Sequence, residues 1–232
     1  MKPENEPNNS DGKHIDVEQF EKQMRYISLK YNPIPLKYAV EKIRGRLDRP
    51  LNAIAITFDD GYRNNLDFAY PIAKKYRIPI TIFPNINCTA QKNNANFLHW
   101  EDIIALHRGG VDFGSHTVSH PHLTTINEAE LFREINNSKK ILESRINEEV
   151  YSFSYPYGEF NYKVKDLVKQ NGFSCALTTE YGINDFNTDL YELKRIPINR
   201  NYTFIYFVSS LYPFFHNLTK IFIHKFNGWK LH

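Results

Sequence analysis

The sequence predicts an α/β protein with a parallel sheet, open or closed into a barrel, and three observations carry that expectation. Strand and helix signals alternate from residue 53 to residue 198, the pattern of repeated βα units. The apolar runs that read as strands are short and continuous instead of alternating with polar residues, as in strands covered on both faces. Chemistry-bearing side chains follow two of these runs, at the strand ends where α/β folds bind ligands.

The chain opens with a polar stretch, residues 1–15, holding Pro3, Pro7 and a run of Asn, which reads as a flexible segment. It has no apolar core of the kind a signal peptide needs, so the expected location is the cytoplasm or the cytoplasmic face of a membrane. Asp16 can cap an amphipathic helix, with Gln19 at the capping-box position and Val17, Phe20, Met24 and Ile27 on one face. The residues from Ala53 to Phe58 are small, β-branched or aromatic and uncharged, which predicts a strand buried on both faces. A helix is expected over 64–76, with Leu66, Ala69, Tyr70 and Ala73 on one side, and a strand over 78–83. A short helix at 100–106 and a strand at 111–114 come next. Leu131, Ile135, Ser138 and Leu142 mark the inward face of a long helix over 127–146. A strand at 151–155, a helix over 162–170 stopped near Gly172, and strands at 173–178 and 193–198 complete a count of six strands.

Residues 201–232 are dense in aromatics, from Phe204 and Tyr206 to Phe222 and Phe226. Ser209, Ser210, Pro213, His216 and Asn217 interrupt them, which argues against a membrane-spanning helix. The stretch is expected to be a helical extension packed on a domain covering residues 16–200. Lys220, Lys225 and Lys230 beside the aromatics give it a second reading as a peripheral membrane contact. A length of 232 residues with 41% hydrophobic side chains suits one domain with a single core. Basic and acidic residues, 29 against 26, are too evenly matched to indicate a nucleic-acid partner, and the pI near 8.7 suits an anionic glycan or a membrane surface. Cys88 and Cys175 lie in or beside apolar runs and read as buried free thiols.

Asp59 and Asp60 end the first predicted strand. Adjacent carboxylates raise each other's pKa, so a fold keeps such a pair where a cation or a chemical task offsets the repulsion; Asp60-Gly61 alone would read as a turn. Ser115-His116-Thr117-Val118-Ser119-His120 follows another short apolar run, and imidazoles four residues apart can meet on one metal ion in a helix or tight turn. With nine His in 232 residues, about a third of one such pair arises by chance, so the pair counts because it shares a strand-end rim with the two carboxylates. No Glu follows His116, which argues against the His-Glu-x-x-His arrangement of helical zinc proteases.

Thr57-Phe58-Asp59-Asp60-Gly61, Ser115-His116-Thr117-Val118-Ser119-His120 and Phe153-Ser154-Tyr155-Pro156-Tyr157-Gly158, in that order, resemble the first three motifs of the polysaccharide deacetylase family, carbohydrate esterase family 4, with its NodB homology domain. The resemblance covers residues 16–199. It implies a distorted (β/α) barrel of the NodB type that removes N-linked acetyl groups from amino sugars with a divalent metal. Members commonly carry a strand ending in Tyr-His or Phe-His ahead of the first helix; none stands there in this sequence, so the expected barrel lacks its first strand.

By the same resemblance Asp60, His116 and His120 are the metal ligands, leaving a position for water and substrate, Asp59 is the general base, and the backbone N–H of Tyr157 helps to hold the oxyanion. The ligand types point to Zn²⁺, with Co²⁺, Ni²⁺ or Fe²⁺ also suited. The family's third motif usually has Arg where this chain has Ser154, and its fifth has a His that Leu193-Lys194-Arg195-Ile196-Pro197-Ile198 lacks. Arg195 is therefore expected to orient Asp59, and the general acid is left unassigned, with His122 weighed for it against a plain surface role. Tyr62, Pro156 and Trp100 are candidate sugar contacts, weighed against ordinary packing, while His99 and His107 read as helix-surface residues. The expected function is a metal-dependent deacetylase acting on an N-acetylated polysaccharide or lipid-linked glycan. The alternative is a glycan-binding pseudoenzyme that keeps the metal site without turnover, and a third reading is a hydrolase of small cyclic amides.

Overall fold

In the computed structural model, eight strands and eight α-helices are distributed over the described residues, 15–45, 52–91 and 93–212. The predicted flexible segment, Ile15 apart, and the aromatic stretch beyond Tyr212 lie outside them. Helix α1 (Val17–Lys30) starts at Asp16, whose carboxylate accepts from the N–H groups of Glu18 and Gln19. Gln19 does not close the capping box; its Nε2 donates instead to the carbonyl of Tyr202 at 3.4 Å. Phe20, Gln23, Met24 and Ile27 form the buried face, and Val17 is exposed.

Strand β1 (Asn32–Pro33) and helix α2 (Leu36–Ile43) follow, neither anticipated from the sequence. The predicted first strand is divided at Ala55 into β2 (Ala53–Ile54) and β3 (Ile56–Asp60). A π-helical turn, Asn65–Ala69, leads into α3 (Tyr70–Lys75). That wider turn leaves Leu66 and Tyr70 half-buried and brings Asn65, Ala69, Ile72 and Ala73 inside. Then come β4 (Ile80–Pro84), α4 (Ile86–Ala90), α5 (Trp100–Arg108), β5 (Asp112–Phe113) and α6 (Glu128–Ile146). Asn127 caps α6 by accepting from the N–H of Glu130, and the predicted inward residues Leu131, Ile135, Ser138 and Leu142 are all buried. The chain ends in β6 (Ser152–Ser154), α7 (Tyr162–Gln170), β7 (Cys175–Tyr181), β8 (Leu193–Arg195) and α8 (Phe204–Ser210).

Every strand pair is parallel. β4 lies between β3 and β5, β7 lies between β6 and β8, and β1 pairs with β2. A single bridge between Ser115 and Phe153 links the two three-stranded sheets, so the strands follow one another around a distorted barrel. Among the described residues no ladder joins β8 back to β3. Outer helices bury Ile27, Ile103, Ile135 and Val168 against Ile82, Phe113 and Phe153 of the strands. Inside the barrel, Leu36 and Val40 of α2 meet Phe83, Tyr151, Leu177 and Leu193.

β4 is buried at all five positions, whereas β3 is only half-buried along its length. The expectation of burial on both faces fails for β3 because it borders a cavity of about 1060 Å³. Cys175 is buried and Cys88 only half-buried, both as free thiols. α8 packs on α1, with Phe204 and Phe207 edge-on to Tyr26 at 5.8 and 6.2 Å, so the packed structure continues past residue 200. No helix among the described residues is long and apolar enough to cross a membrane.

Candidate active site

Parallel strands present all their C-terminal ends on one rim, and three loops carry the predicted site residues there. Asp59 and Asp60 are the last residues of β3, opposite Phe83 and Pro84 of β4. Gly61 follows with φ 73°, and a Cβ at that position would stand 2.8 Å from Pro84 Cβ, so both the conformation and the space demand glycine. The Asp60 carboxylate lies 3.5 Å from Nε2 of His116 and 3.5 Å from Nε2 of His120. All three donor atoms fall within 4.8 Å of one another. Two donors at about 2.1 Å from one tetrahedral ion sit roughly 3.4 Å apart, so the cluster has the dimensions of a metal site.

The surroundings fix the ligands. His116 is buried, and its Nδ1 lies 2.8 Å from the carbonyl of Ser154; donation there leaves Nε2 with its lone pair toward Asp60. The loop from His116 to His120 is pinned by Glu134 of α6, which accepts from the N–H of Val118 at 2.8 Å and from the N–H and hydroxyl of Ser119 at 2.9 and 2.6 Å. Ser115 and Ser138 hydroxyls meet at 2.7 Å and tie the same loop to α6. Sequence reasoning missed Glu134, although a carboxylate on the inward stripe of a long helix was a signal that something polar had to meet it. Backbone strain gathers here too: Asp60, Thr117, His120 and Tyr157 all have positive φ, between 60° and 68°, a region side chains disfavour.

Asp59 and Arg195, 136 residues apart, meet in a two-pronged contact. Nη1 donates to Oδ1 at 2.9 Å and Nη2 to Oδ2 at 2.7 Å. The guanidinium is itself held by the carbonyl of Thr178 at 2.7 Å and reaches the hydroxyls of Ser154 and Thr57 at 3.3 and 3.4 Å. Ser154, noted in the sequence as a departure, thus shares the contact with the arginine. Burial pushes the Asp59 carboxyl up, but the charges of Arg195 and His116 and hydrogen bonds from Arg195 and Ser154 overcome it and hold it at about 2. For Asp60 burial is likewise outweighed, here by His116 and His120, and its pKa is lowered. Burial opposes charge on His116, yet contact with Asp60 and the field of Asp59 raise its pKa, whereas burial and the charge of His116 lower that of His120.

Tyr157 stands on the turn after β6 with its ring half exposed, stacked on His122 at 4.1 Å and edge-on to His120 at 4.6 Å. His122 Nδ1 is 2.8 Å from Glu159 and the ring is 53% exposed, so it belongs to the rim but not to the ligand cluster. Tyr62 stacks on Phe97 at 4.8 Å and lines the cavity that also borders Asp59 and Asp60. Of the other two predicted sugar contacts, Pro156 is buried in the turn after β6, and Trp100 stands half-buried at the start of α5, packed on the core with the Arg145 guanidinium 5.0 Å from its ring. His99 and His107 stay outside the cluster, at the N-cap of α5 and within that helix.

Residues 47–176 match the family model described as polysaccharide deacetylase. The poly-beta-1,6-N-acetyl-D-glucosamine N-deacetylase of Staphylococcus aureus (strain MRSA252) is 26% identical over 198 residues, which cover 80% of this chain and 68% of that protein. YxkH of Bacillus subtilis (strain 168), named as a provisional polysaccharide deacetylase, is 30% identical over 146 residues, 63% of this chain, and the match spans about half of its length, 51%. Among solved structures, the Streptococcus pyogenes deacetylase PplD in complex with acetate superposes with a TM-score of 0.80 over 86% of this chain and 88% of that one, at 24% identity, a likeness of fold.

Proposed function

Because the chain belongs to the polysaccharide deacetylase family, we propose that it hydrolyses N-linked acetyl groups on the amino sugars of a glycan, with a divalent metal ion held by Asp60, His116 and His120. The observation that carries this reading is the ligand-like Asp60–His116–His120 cluster standing next to Asp59, a second carboxylate gripped at both oxygens by Arg195. The donor set of two imidazoles and one carboxylate suits Zn²⁺ first. When bound, such an ion supplies polarisation of the acetamide carbonyl and a water acidified toward a pKa of about 7.

The protein's own residues do the rest. Asp59 is ionised at neutral pH and takes the attacking water's proton on a carboxylate oxygen. Arg195 fixes the plane of that carboxylate, so the proton acceptor is aimed before substrate arrives. The backbone N–H of Tyr157 donates to the developing oxyanion. The rings of Tyr62 and Tyr157 offer faces on which sugars stack.

Similarity to the staphylococcal protein makes β-1,6-linked N-acetylglucosamine oligomers the first substrate to try. The test is acetate release by the chain stripped of metal and reloaded with Zn²⁺ or Co²⁺, beside Asp59→Asn. Release that requires metal and is lost in the variant is the expected result. A folded, metal-loaded chain that binds these and lipid-linked acceptors but releases no acetate would instead be a glycan-binding protein.

A further inference from the structure

The oxyanion donor assigned to Tyr157 is a backbone N–H, so its aim depends on what fixes the peptide groups around it. The turn that carries it, Pro156–Gly158, closes on itself: the N–H of Gly158 donates to the carbonyl of Tyr155 at 2.9 Å, and that of Glu159 to the carbonyl of Pro156 at 3.1 Å. Two further bonds set where the turn stands, and both come from β7. The N–H of Tyr155 donates to the carbonyl of Leu177 at 3.0 Å, and the Thr179 hydroxyl donates to the carbonyl of Tyr157 at 3.3 Å.

The turn also lies hard against Thr179. A Cβ on Gly158 would stand 2.1 Å from Thr179 Oγ1 and 2.7 Å from its backbone nitrogen, so the chain passes there with no room for a side chain. Tyr157 itself sits at φ 60°, ψ 3°, a left-handed conformation that persists where its surroundings over-determine it. Thr179 follows four buried residues of β7 and is exposed, so its side chain adds little to the core. The carbonyl of its neighbour Thr178 holds Arg195, the clamp on Asp59.

We propose that Thr179 is a positioning residue for the hydrolysis: its hydroxyl anchors the Tyr157 carbonyl and thereby keeps the Tyr157 N–H aimed at the oxyanion. The N–H and the carbonyl of Tyr157 are joined through one Cα, so fixing the second restrains the first. Two consecutive positions of β7 then serve the two sides of the reaction, Thr178 the base and Thr179 the oxyanion donor. The inference rests on the deacetylase reading given above.

The test compares wild type, Thr179→Val, Thr179→Ala and Thr179→Ser, each loaded with Zn²⁺, in acetate release from β-1,6-linked N-acetylglucosamine oligomers. Val keeps the shape without the hydroxyl, Ala lacks both, and Ser keeps the donor. Val and Ala should lower kcat about 10-fold, less than the 100-fold or more that loss of an oxyanion donor costs, with KM and Zn²⁺ affinity within about 2-fold of wild type; Ser should restore kcat. A kcat in Val and Ala equal to wild type overturns the proposal, as does a Ser variant as slow as Ala, which would give the effect to bulk. A rise in KM alone, or a parallel fall in Zn²⁺ affinity, overturns it too, by making Thr179 a substrate contact or a prop of the metal site. A metal-loaded wild-type chain that releases no acetate from these or lipid-linked acceptors refutes the deacetylase reading and this role with it, whereas an active wild type with unchanged variants refutes the role alone.

Discussion

Replacing Arg195 with Met keeps much of the side chain's bulk and removes the guanidinium that holds Asp59. The drop of the Asp59 carboxyl from the ordinary 3.8 to about 2 corresponds to about 2.5 kcal/mol at roughly 1.4 kcal/mol per unit of pKa. Because the folded value lies below the unfolded one, this stabilisation is complete above pH 3.8 and is lost as pH falls toward 2. In the variant the carboxylate keeps Ser154 as a donor and the field of His116 but loses the guanidinium, the foremost of the groups that outweigh its burial, so ionisation in the folded state becomes less favourable. Urea unfolding in a chelator should therefore show Arg195→Met destabilised by about 3 kcal/mol at pH 7 and by about half that or less at pH 3. Acetate release in the metal-loaded protein should lose about 100-fold in kcat with little change in KM. An equal destabilisation at pH 7 and pH 3 would refute the claim that the pair stabilises through the charge on Asp59.

Three other substitutions probe the frame around the site. Glu134→Ala removes the acceptor of three hydrogen bonds that shape the His116–His120 loop, so Zn²⁺ affinity in a chelator competition should fall about 10- to 100-fold; an unchanged affinity would mean that the loop holds its form without α6. Gly61→Ala puts a Cβ 2.8 Å from Pro84 Cβ at φ 73° and should cost about 2 kcal/mol or more in urea unfolding, a loss under about 0.5 showing that the β3–β4 contact can relax. Burial raises the pKa of Asp112 against the hydrogen bond it accepts from Tyr151. Its folded value lies above 3.8, so wild-type stability should fall as pH rises from 3.8 through that value, and Asp112→Asn should lack this slope.

The parts of the fold that were legible in advance are those with strong local signals. The long helix α6 shows its inward stripe in sequence, and α7 shows both its length and the stop at Gly172. β1 and α2 were not legible, because a two-residue strand has no periodicity and Pro33 and Pro35 make the approach to α2 read as loop. The π-helical turn after β3 shifts a helical stripe by one residue, which no 3.6-residue pattern reveals. In the site, Asp60, His116 and His120 could be grouped because their loops leave strands of one parallel sheet on the same rim. The Asp59–Arg195 contact followed from asking what could replace a missing arginine, whereas the carbonyl of Ser154 reaches the site through backbone geometry that sequence alone does not display, and Glu134 shows in sequence only as a carboxylate on the inward stripe of α6, without its partners.

The left-handed residues of the rim have a consequence for how this protein can change. At the opposite ends of the strands, positive φ falls at Asn52, Asn147 and Arg77, and asparagine tolerates that conformation well. The rim instead places it on aspartate, threonine, histidine and tyrosine, at roughly 1 kcal/mol or more each, against a total domain stability of roughly 5–15 kcal/mol. A library screened only for heat tolerance would find ready gains there, through Gly or Asn at Thr117 or Tyr157, and would loosen the loops that aim the ligands. Selection for durability and selection for catalysis therefore pull the same backbone positions in opposite directions.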